Sequence, residues 1–475
     1  MGRFLFIQDN GVNENIGVMS IAGVLKAHGH DVDLILIDEH PKNYLDLIGA
    51  YNPDVIGFSF MTGNRNWAYA IARRLKEQFG KPIIFGGVHP TLFPEDVDFS
   101  YVDYVCIGEG EYPVLELMNR LASGEDCAAI QNLWVKKNGT IVKNLLRDLI
   151  QDFDSLPLPY REIYYRYAFI RDLPIKRFIS GIGCPYSCTF CHNPLHIKIY
   201  QGKGKFVRKK SVERVIREIS YVKERYRLNN VHFSDDTFVL DKKWLKEFLA
   251  VYRTRIALPF SCNIRIDQVN EEMIRDMADS GCYGISFGIE SGSERIRNGI
   301  LKKNLKQQDI VTNARIIKKY KIKMIVTNLM GLPDETLEDA FETVALNQAI
   351  GADYTRAGVL IPYPKTGIAD YAIERGLLPA DFSITSFNQV VRKSLIKSPY
   401  MREFENLCAL FNLTVKFPFL TPLTKKLIKL PLTGFYSLAR SWEAFENMLY
   451  FRLFNPAGFK YGFHIMRNVL RDVWR

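Results

Sequence analysis

The chain has 475 residues, 47% hydrophobic and 13% aromatic, with 63 Lys+Arg against 52 Asp+Glu and eight cysteines. This is a globular composition at a length for two or three domains, and it excludes a disordered chain, a collagen-like chain and a disulfide scaffold. A chain this long buries roughly three quarters of the surface its unfolded form exposes, so a metal site in it serves chemistry rather than folding.

The N-terminus, MGRFLFIQDNG, turns polar too soon for a secretory signal, and no run approaches the roughly 18 apolar residues of a membrane span. With cysteines this sparse, the reading is a reducing, cytoplasmic compartment. Strand-like runs RFLFIQ, VDLILID, DVIGFSF, PIIFGG and YVDYVCIG then alternate with helical ones such as WAYAIARRLKEQF and YPVLELMNRLASG. Short strands that are apolar on both faces suit a parallel sheet covered by helices. Residues 1–140 are therefore expected to form an α/β, doubly wound, Rossmann-like domain whose ligand sits at the strand C-termini. Four loops at that edge are rich in small and polar residues: DNGVNENIG (9–17), SFMTGN (59–64), GGVHPT (86–91) and GEGE (108–111). Glycine and exposed amides there can hold phosphate or amide groups, although any one such loop is also an ordinary turn.

Residues 125–170 read as a less regular connector, and 141–174 as the linker between the two domains. From 175 to 376 about six βα units follow, a partial (β/α)6 TIM barrel whose active face is the C-terminal edge of its strands. Residues 377–475 read as a mainly helical region divided by Pro418, Pro422, Pro431 and Pro456. From Phe382 to the end there are 14 Lys/Arg against 5 Asp/Glu and 18 aromatic residues, a net +9 that leaves +2 for the rest. That mixture suits an anionic membrane surface or substrate, fits nucleic acid by charge, and also suits aromatics packed over the barrel.

Cys184-Pro-Tyr-Ser-Cys188-Thr-Phe-Cys191 lies in the loop after the first barrel strand. Three thiolates on one loop can converge on one metal centre. Three cysteines leave one iron of a [4Fe-4S] cluster open, whereas a zinc site needs a fourth ligand, for which His192 stands next in line. Ser234-Asp235-Asp236-Thr237-Phe238 follows the second strand, Asn263 and Arg265 the third, Gly288-Ile289-Glu290-Ser291-Gly292 the fourth, and Asn328-Leu329-Met330-Gly331-Leu332-Pro333 the fifth. Plainer roles exist: Asp235 and Asp236 as helix N-caps, Glu290 as an ion-pair partner, and Arg265 on a carboxylate of the protein itself. Gly284-Ile285-Ser286-Phe287-Gly288 fits the GxSxG pattern of serine hydrolases but lies within a strand.

The cysteine spacing, with an aromatic before the third cysteine, resembles the signature of the radical S-adenosylmethionine (SAM) superfamily. DDTF in place of the usual GGE resembles its cobalamin-associated branch, which includes class B methyltransferases and the anaerobic magnesium-protoporphyrin cyclase. The resemblance implies a [4Fe-4S] cluster on Cys184, Cys188 and Cys191 as catalytic centre and metal ligands. It implies SAM at Phe190, Asp235, Asp236, Asn263, Arg265, Gly288, Glu290, Ser291, Gly331, Leu332 and Pro333. MTGN, FGGVHPT and VDYVCIGEGE resemble the cobalamin-binding domain of that branch. They imply contacts at Asn13, Glu14, Asn15, Gly17, Ser59, Met61, Thr62, Gly63, Gly86, Gly87, His89, Thr91, Gly108, Glu109 and Gly110. The DxHxxG motif that supplies a histidine to cobalt is absent, with Val12 in the Asp slot and Glu14 in the His slot. The tRNA methylthiotransferases are discounted, since only Cys106 and Cys127 stand where they carry three further cluster cysteines.

The implied reaction is reductive cleavage of SAM to a 5′-deoxyadenosyl radical and methylation of an unactivated carbon through methylcobalamin. The alternative is cyclisation, ring contraction or carbon–carbon bond formation without methyl transfer, on a lipid, isoprenoid or tetrapyrrole. A different class would be a cobalamin or SAM sensor, or an RNA-binding protein, though no RNA-recognition signature accompanies the charge. Expected partners are a small or lipid-like substrate, a flavodoxin or ferredoxin as electron donor, and a membrane contact through the C-terminal region; nucleic acid is not expected.

Overall fold

The computed structural model describes residues 1–10, 14–385, 387 and 394–440. Asn13, implied above as a cobalamin contact, and the tail from 441 on lie outside the described residues. The chain divides into two compact units, one of residues 1–172 and 196–211, the other of 173–195 and the residues from 212 on.

In the first unit, β1 (Arg3–Gln8), β2 (Asp31–Leu36), β3 (Val55–Ser59), β4 (Ile83–Gly86) and β5 (Tyr104–Cys106) run parallel in the order β2-β1-β3-β4-β5. Helices cover them, and runs such as FLFI and VIGF are buried throughout, as a parallel sheet requires. The strand order reverses between β1 and β3, the switch point at which doubly wound sheets bind ligands. The sheet then continues, antiparallel, into β6 (Leu133–Lys137) and β7 (Thr140–Lys143). The less regular connector expected over residues 125–170 thus begins with a hairpin that the reading did not include. Asn138 and Gly139, with φ of 50° and 78°, close the hairpin with the positive-φ pair that a type I′ turn demands.

The rest of the connector packs on the same unit. The Tyr160 amide donates to the Met19 carbonyl, and the Tyr167 hydroxyl accepts from Leu36 N and donates to Leu34 O. The chain passes so close to Gly23 that a Cβ there would stand 2.4 Å from the Leu158 carbonyl oxygen. Residues 196–211, which the sequence placed in the barrel, also belong to this unit; Leu149 N donates to Lys203 O at 2.8 Å.

In the second unit, β8 (Ile175–Phe178), β9 (Asn230–Phe233), β10 (Phe260–Asn263), β11 (Cys282–Glu290), β12 (Lys323–Met330) and β13 (Tyr354–Val359) pair consecutively and in parallel. Helices 212–225, 242–255, 271–279, 307–319 and 337–350 alternate with them. Their starts are encoded locally. Asp241 and Asn270 each cap a helix by accepting from the third residue on, and Thr336 with Asp339 forms a capping box, each cap adding about 1 kcal/mol. Asp241, not Asp235 or Asp236, is thus the N-cap of the helix after β9. The GxSxG serine sits in mid-strand on β11, away from any nucleophile elbow.

Six strands leave the sheet open, and helix 401–416 covers the β13 edge, burying Phe404, Leu407 and Phe411 against Met330 and Val344. Among the described residues, no helix is long and apolar enough to cross a membrane.

Candidate functional site

The loop from Ile179 to His192 leaves the C-terminal end of β8 and is held on both sides by backbone. Thr189 donates its N–H to Leu301 O at 3.1 Å and its hydroxyl to Ile300 O at 2.9 Å, and its carbonyl accepts from Ile368 N at 2.9 Å. Cys188 is buried, Cys184 and Cys191 are partly so, and none is in a disulfide. Burial first, and then the charges of Cys188, Asp236 and Cys184, push the Cys191 thiol up to about 11. The Cys184 thiol is raised by burial, then by Asp236 and Cys188.

The raised thiols of Cys184 and Cys191 become thiolates most readily beside a multivalent cation. Among the described residues no three His, Cys, Asp or Glu side chains are grouped as ligands of one metal ion. A single zinc draws its donors to about 2.0–2.3 Å from one point, whereas an iron–sulfur cube takes one thiolate per iron and so a wider set. Three cysteines on one loop are the donor set of a [4Fe-4S] cluster with one iron left open, whereas a structural zinc takes four protein ligands.

The residues expected to face SAM separate into two groups. Asp236 remains open to solvent, yet burial among protein atoms raises its carboxyl, with the His192 and Asn193 side chains and the Gly183 backbone around it. Glu290 adopts φ 66° at a register shift in β11, and its carboxylate meets Lys303 Nζ at 3.0 Å. Lys303 in turn lies 5.6 Å from the Phe190 ring centroid. Gly288 makes this possible, because a Cβ there would stand 1.9 Å from Glu290 Oε1.

The second group holds the site together. Asp235, expected at the SAM amino group, accepts from Ser180 N at 3.0 Å and Ser180 Oγ at 2.6 Å, which fixes the start of the cysteine loop. Asn263 donates to the Asp235 carbonyl at 3.1 Å. Arg265, also expected at SAM, grips Asp267 through Nε and donates to the carbonyls of Lys303 and Asn304. Its guanidinium stacks 3.9 Å from the centroid of Tyr186, inside the cysteine motif. Ser291 Oγ accepts from Ser293 N. Gly331 has φ 67° and lies beneath Met401, while Leu332 and Pro333 are buried. Ser180, Tyr186 and Lys303 were not singled out by sequence. Tyr186 lay within the motif, whereas nothing local marks Ser180 or Lys303.

In the first unit the loops after β1 and β3 meet at the switch point, where Asn15 Nδ2 donates to Ser59 Oγ at 3.0 Å and Asn15 Oδ1 caps helix 16–27. Gly17 and Met61 are exposed, and Glu14, Ser59, Gly63 and Gly86 are partly so. A Cβ on Gly86 would meet nothing closer than 3.8 Å. Such a shelf of backbone and short side chains fits a flat macrocycle with amide arms.

Other residues implied as cobalamin contacts have their side chains, or the space of one, engaged within the protein. His89 is wholly buried, its ring nitrogens 3.0 Å from Thr62 Oγ1 and 2.9 Å from the Tyr69 hydroxyl. Thr91 Oγ1 donates to Gly87 O and accepts from Gly108 N. Glu109 holds Arg208 at 2.7 Å and accepts from Ile150 N at 2.8 Å. Gly87, Gly108 and Gly110 are glycines because Phe60, Tyr200 and Ile21 occupy the space of a side chain.

Residues 2–118 match the B12 binding domain family and residues 178–346 the Radical SAM superfamily. Over 371 residues the chain is 30% identical to the uncharacterized methyltransferase PH0819 of Pyrococcus horikoshii, covering 76% of this chain and 79% of that protein. It is 21% identical over 380 residues to the anaerobic magnesium-protoporphyrin IX monomethyl ester cyclase of Synechocystis, covering 77% and 74%. Among solved structures, the radical SAM methyltransferase TsrM of Kitasatospora setae superposes with a TM-score of 0.67 at 19% identity, covering 83% of this chain and 81% of that one. This last likeness concerns the fold.

Proposed function

The chain belongs to the radical SAM family whose members carry a B12-binding domain ahead of the catalytic core, and on that footing we propose that it methylates an unactivated carbon of a small molecule. The observation that carries the reading is the three-cysteine loop held at the C-terminal end of β8, in one chain with a 2-1-3-4-5 sheet at whose switch point Gly17 and Met61 are exposed. The methyltransferase name of the Pyrococcus relative favours methyl transfer over cyclisation.

When bound, the cluster and SAM supply a carbon-centred radical and cobalamin supplies the methyl group. The chain's own share is to place and shield them. Cys184, Cys188 and Cys191 hold the cluster. Asp235 fixes the start of the cysteine loop through Ser180, and Arg265 steadies its middle through Tyr186. Asp236 and Glu290 offer carboxylates to the cationic and hydroxyl-bearing parts of SAM, and the Gly331–Pro333 backbone offers the surface for its adenine. Asn15, Ser59, Met61 and Gly86 form the cobalamin shelf.

A one-electron donor of the flavodoxin or ferredoxin class would be the protein partner, in the reducing cytoplasm that eight free cysteines suit. The same reading includes a contact between the basic, apolar end of the chain and a membrane surface. The test of the function is anaerobic reconstitution with iron, sulfide and hydroxocobalamin. About four irons and about one cobalt per chain are expected, with deuterium from SAM's labelled methyl group appearing in product. Cys188→Ala should lose iron and keep cobalt. Iron without cobalt would overturn the methyl-transfer reading.

A further inference from the structure

The stretch that follows β11 is wound unusually. Residues 295–300 form a π-helix, and Leu301 N reaches back five residues to Ile296 O at 3.0 Å. Helices of this kind are rare and gather at functional sites. Just beyond it, Lys302 and Asn304 take the left-handed backbone, with φ of 49° and 53°, which strains a residue that has a side chain. Such a shape persists only where its surroundings hold it.

Arg297, whose side chain is fully buried, does so from inside. Its Nε donates to Leu305 O at 2.9 Å, and its Nη1 to Ser291 O at 2.8 Å and Gly292 O at 2.9 Å. One guanidinium thus ties the exit of β11 to the far end of the segment. Asn298 completes the clasp, its Oδ1 accepting from Leu305 N at 2.9 Å and its Nδ2 donating to Leu305 O at 3.0 Å. The acidic partner of Arg297, Glu294 at 3.2 Å, has a side chain 54% exposed. The buried cation is therefore met mainly by carbonyls, which a rigid planar fork reaches together and a lysine does not. A buried cation is a weak source of stability, and what this one supplies is geometry.

The outer side of the same segment meets the cysteine loop at three points. Ile300 O and Leu301 O accept from the hydroxyl and the amide of Thr189. Lys303 Nζ lies over the Phe190 ring while it pairs with Glu290. The carbonyls of Lys303 and Asn304 accept from Arg265, which stacks on Tyr186. Inner and outer contacts share one backbone, so the place of the cysteine loop relative to Glu290 follows from how Arg297 closes the segment.

We infer that Arg297 is a positioning residue for SAM. It sets residues 291–305 so that the cysteine loop and the Glu290 edge stand at the spacing that one SAM molecule bridges. The inference rests on the reading of those two elements as the SAM site.

The test is binding of SAM to the reconstituted full chain, with the paramagnetic resonance of the reduced cluster recorded with and without SAM. Arg297→Met and Arg297→Lys should keep iron and cobalt at the parent's level yet bind SAM about ten- to a hundredfold more weakly. SAM should also no longer shift the resonance as it does in the parent. Thr189→Val should move both readouts in the same direction, and Thr189→Ser, which keeps a hydroxyl for Ile300, should restore them. The double variant Arg297→Met with Thr189→Val should bind SAM no more weakly than Arg297→Met alone, because both act through one segment. A merely structural role would lower the unfolding midpoint and leave affinity and resonance as in the parent. Parent-like SAM affinity in iron-loaded Arg297→Met, or additive losses in the double variant, overturns the inference. If Arg297→Met takes up no iron, Thr189→Val decides, and parent-like affinity there overturns it too. A parent chain that takes up iron and binds no SAM overturns the SAM reading itself, and the inference with it.

Discussion

Glu335 carries a carboxyl that burial raises from 4.5 to about 8, although Leu332 N donates to its Oε2 at 2.9 Å. Folding takes up a proton between those two pH values, so the stability it contributes is complete below 4.5 and lost as the pH rises to about 8. Glu335→Gln keeps an acceptor for Leu332 and removes the titration. It should be more stable than the parent at pH 8 by on the order of 4 kcal/mol, with the gap closing toward pH 4.5 in urea unfolding. Parallel pH profiles for the two proteins would refute this. At the same scale, the sequence named Glu290 and Gly288 without showing that each needs the other. Only the folded strand brings Glu290 Oε1 to where a Cβ on residue 288 would lie.

Among elements, the loops and strands that carry chemistry were legible because their residue types are costly elsewhere: three cysteines in eight residues, glycines at strand ends, acids where a strand stops. The β6–β7 hairpin was missed although Asn138-Gly139 announces it, since its strands alternate polar with apolar residues only weakly. The edge of β13 is an element-scale problem solved by one side chain from far along the chain. Asn412 Oδ1 accepts from both Thr355 N and Thr355 Oγ1 at 3.0 Å, giving one edge amide its acceptor. Asn412→Ala leaves that buried amide without its acceptor and should cost about 1–3 kcal/mol in urea unfolding. An unchanged midpoint would mean that helix 401–416 seals the edge by apolar packing alone.

For the whole molecule, the charge asymmetry read from sequence gains a location. Residues 416–440 hold five Lys/Arg and no acid. They expose Phe419, Leu423, Leu430, Leu432, Phe435 and Leu438, while Thr424, Ile428 and Tyr436 turn inward. Helix 433–440 is apolar on two faces, of which one is covered. The full chain should therefore pellet with phosphatidylcholine vesicles that contain phosphatidylglycerol and not with phosphatidylcholine alone, releasing at high salt. Lys426→Gln with Lys429→Gln should weaken that binding by about thirtyfold. A chain that stays in the supernatant would refute the membrane contact.

The amino-acid sequence by itself determined the two-part architecture, the cysteine loop, the strand ends that bear polar residues and the missing histidine at the cobalamin edge. All of these are short-range patterns in which spacing and residue type carry the physics. Only tertiary structure decided which candidate side chains are taken up by partners within the protein. Asp235 is taken up by Ser180, 55 residues earlier, Arg265 by Asp267, Tyr186 and the carbonyls of 303 and 304, and His89 by Thr62 and Tyr69. A polar side chain near a binding edge meets the same chemistry whether its partner is ligand or protein. The choice falls to whichever group the fold places within hydrogen-bond reach, and partners tens of residues away leave no local signal.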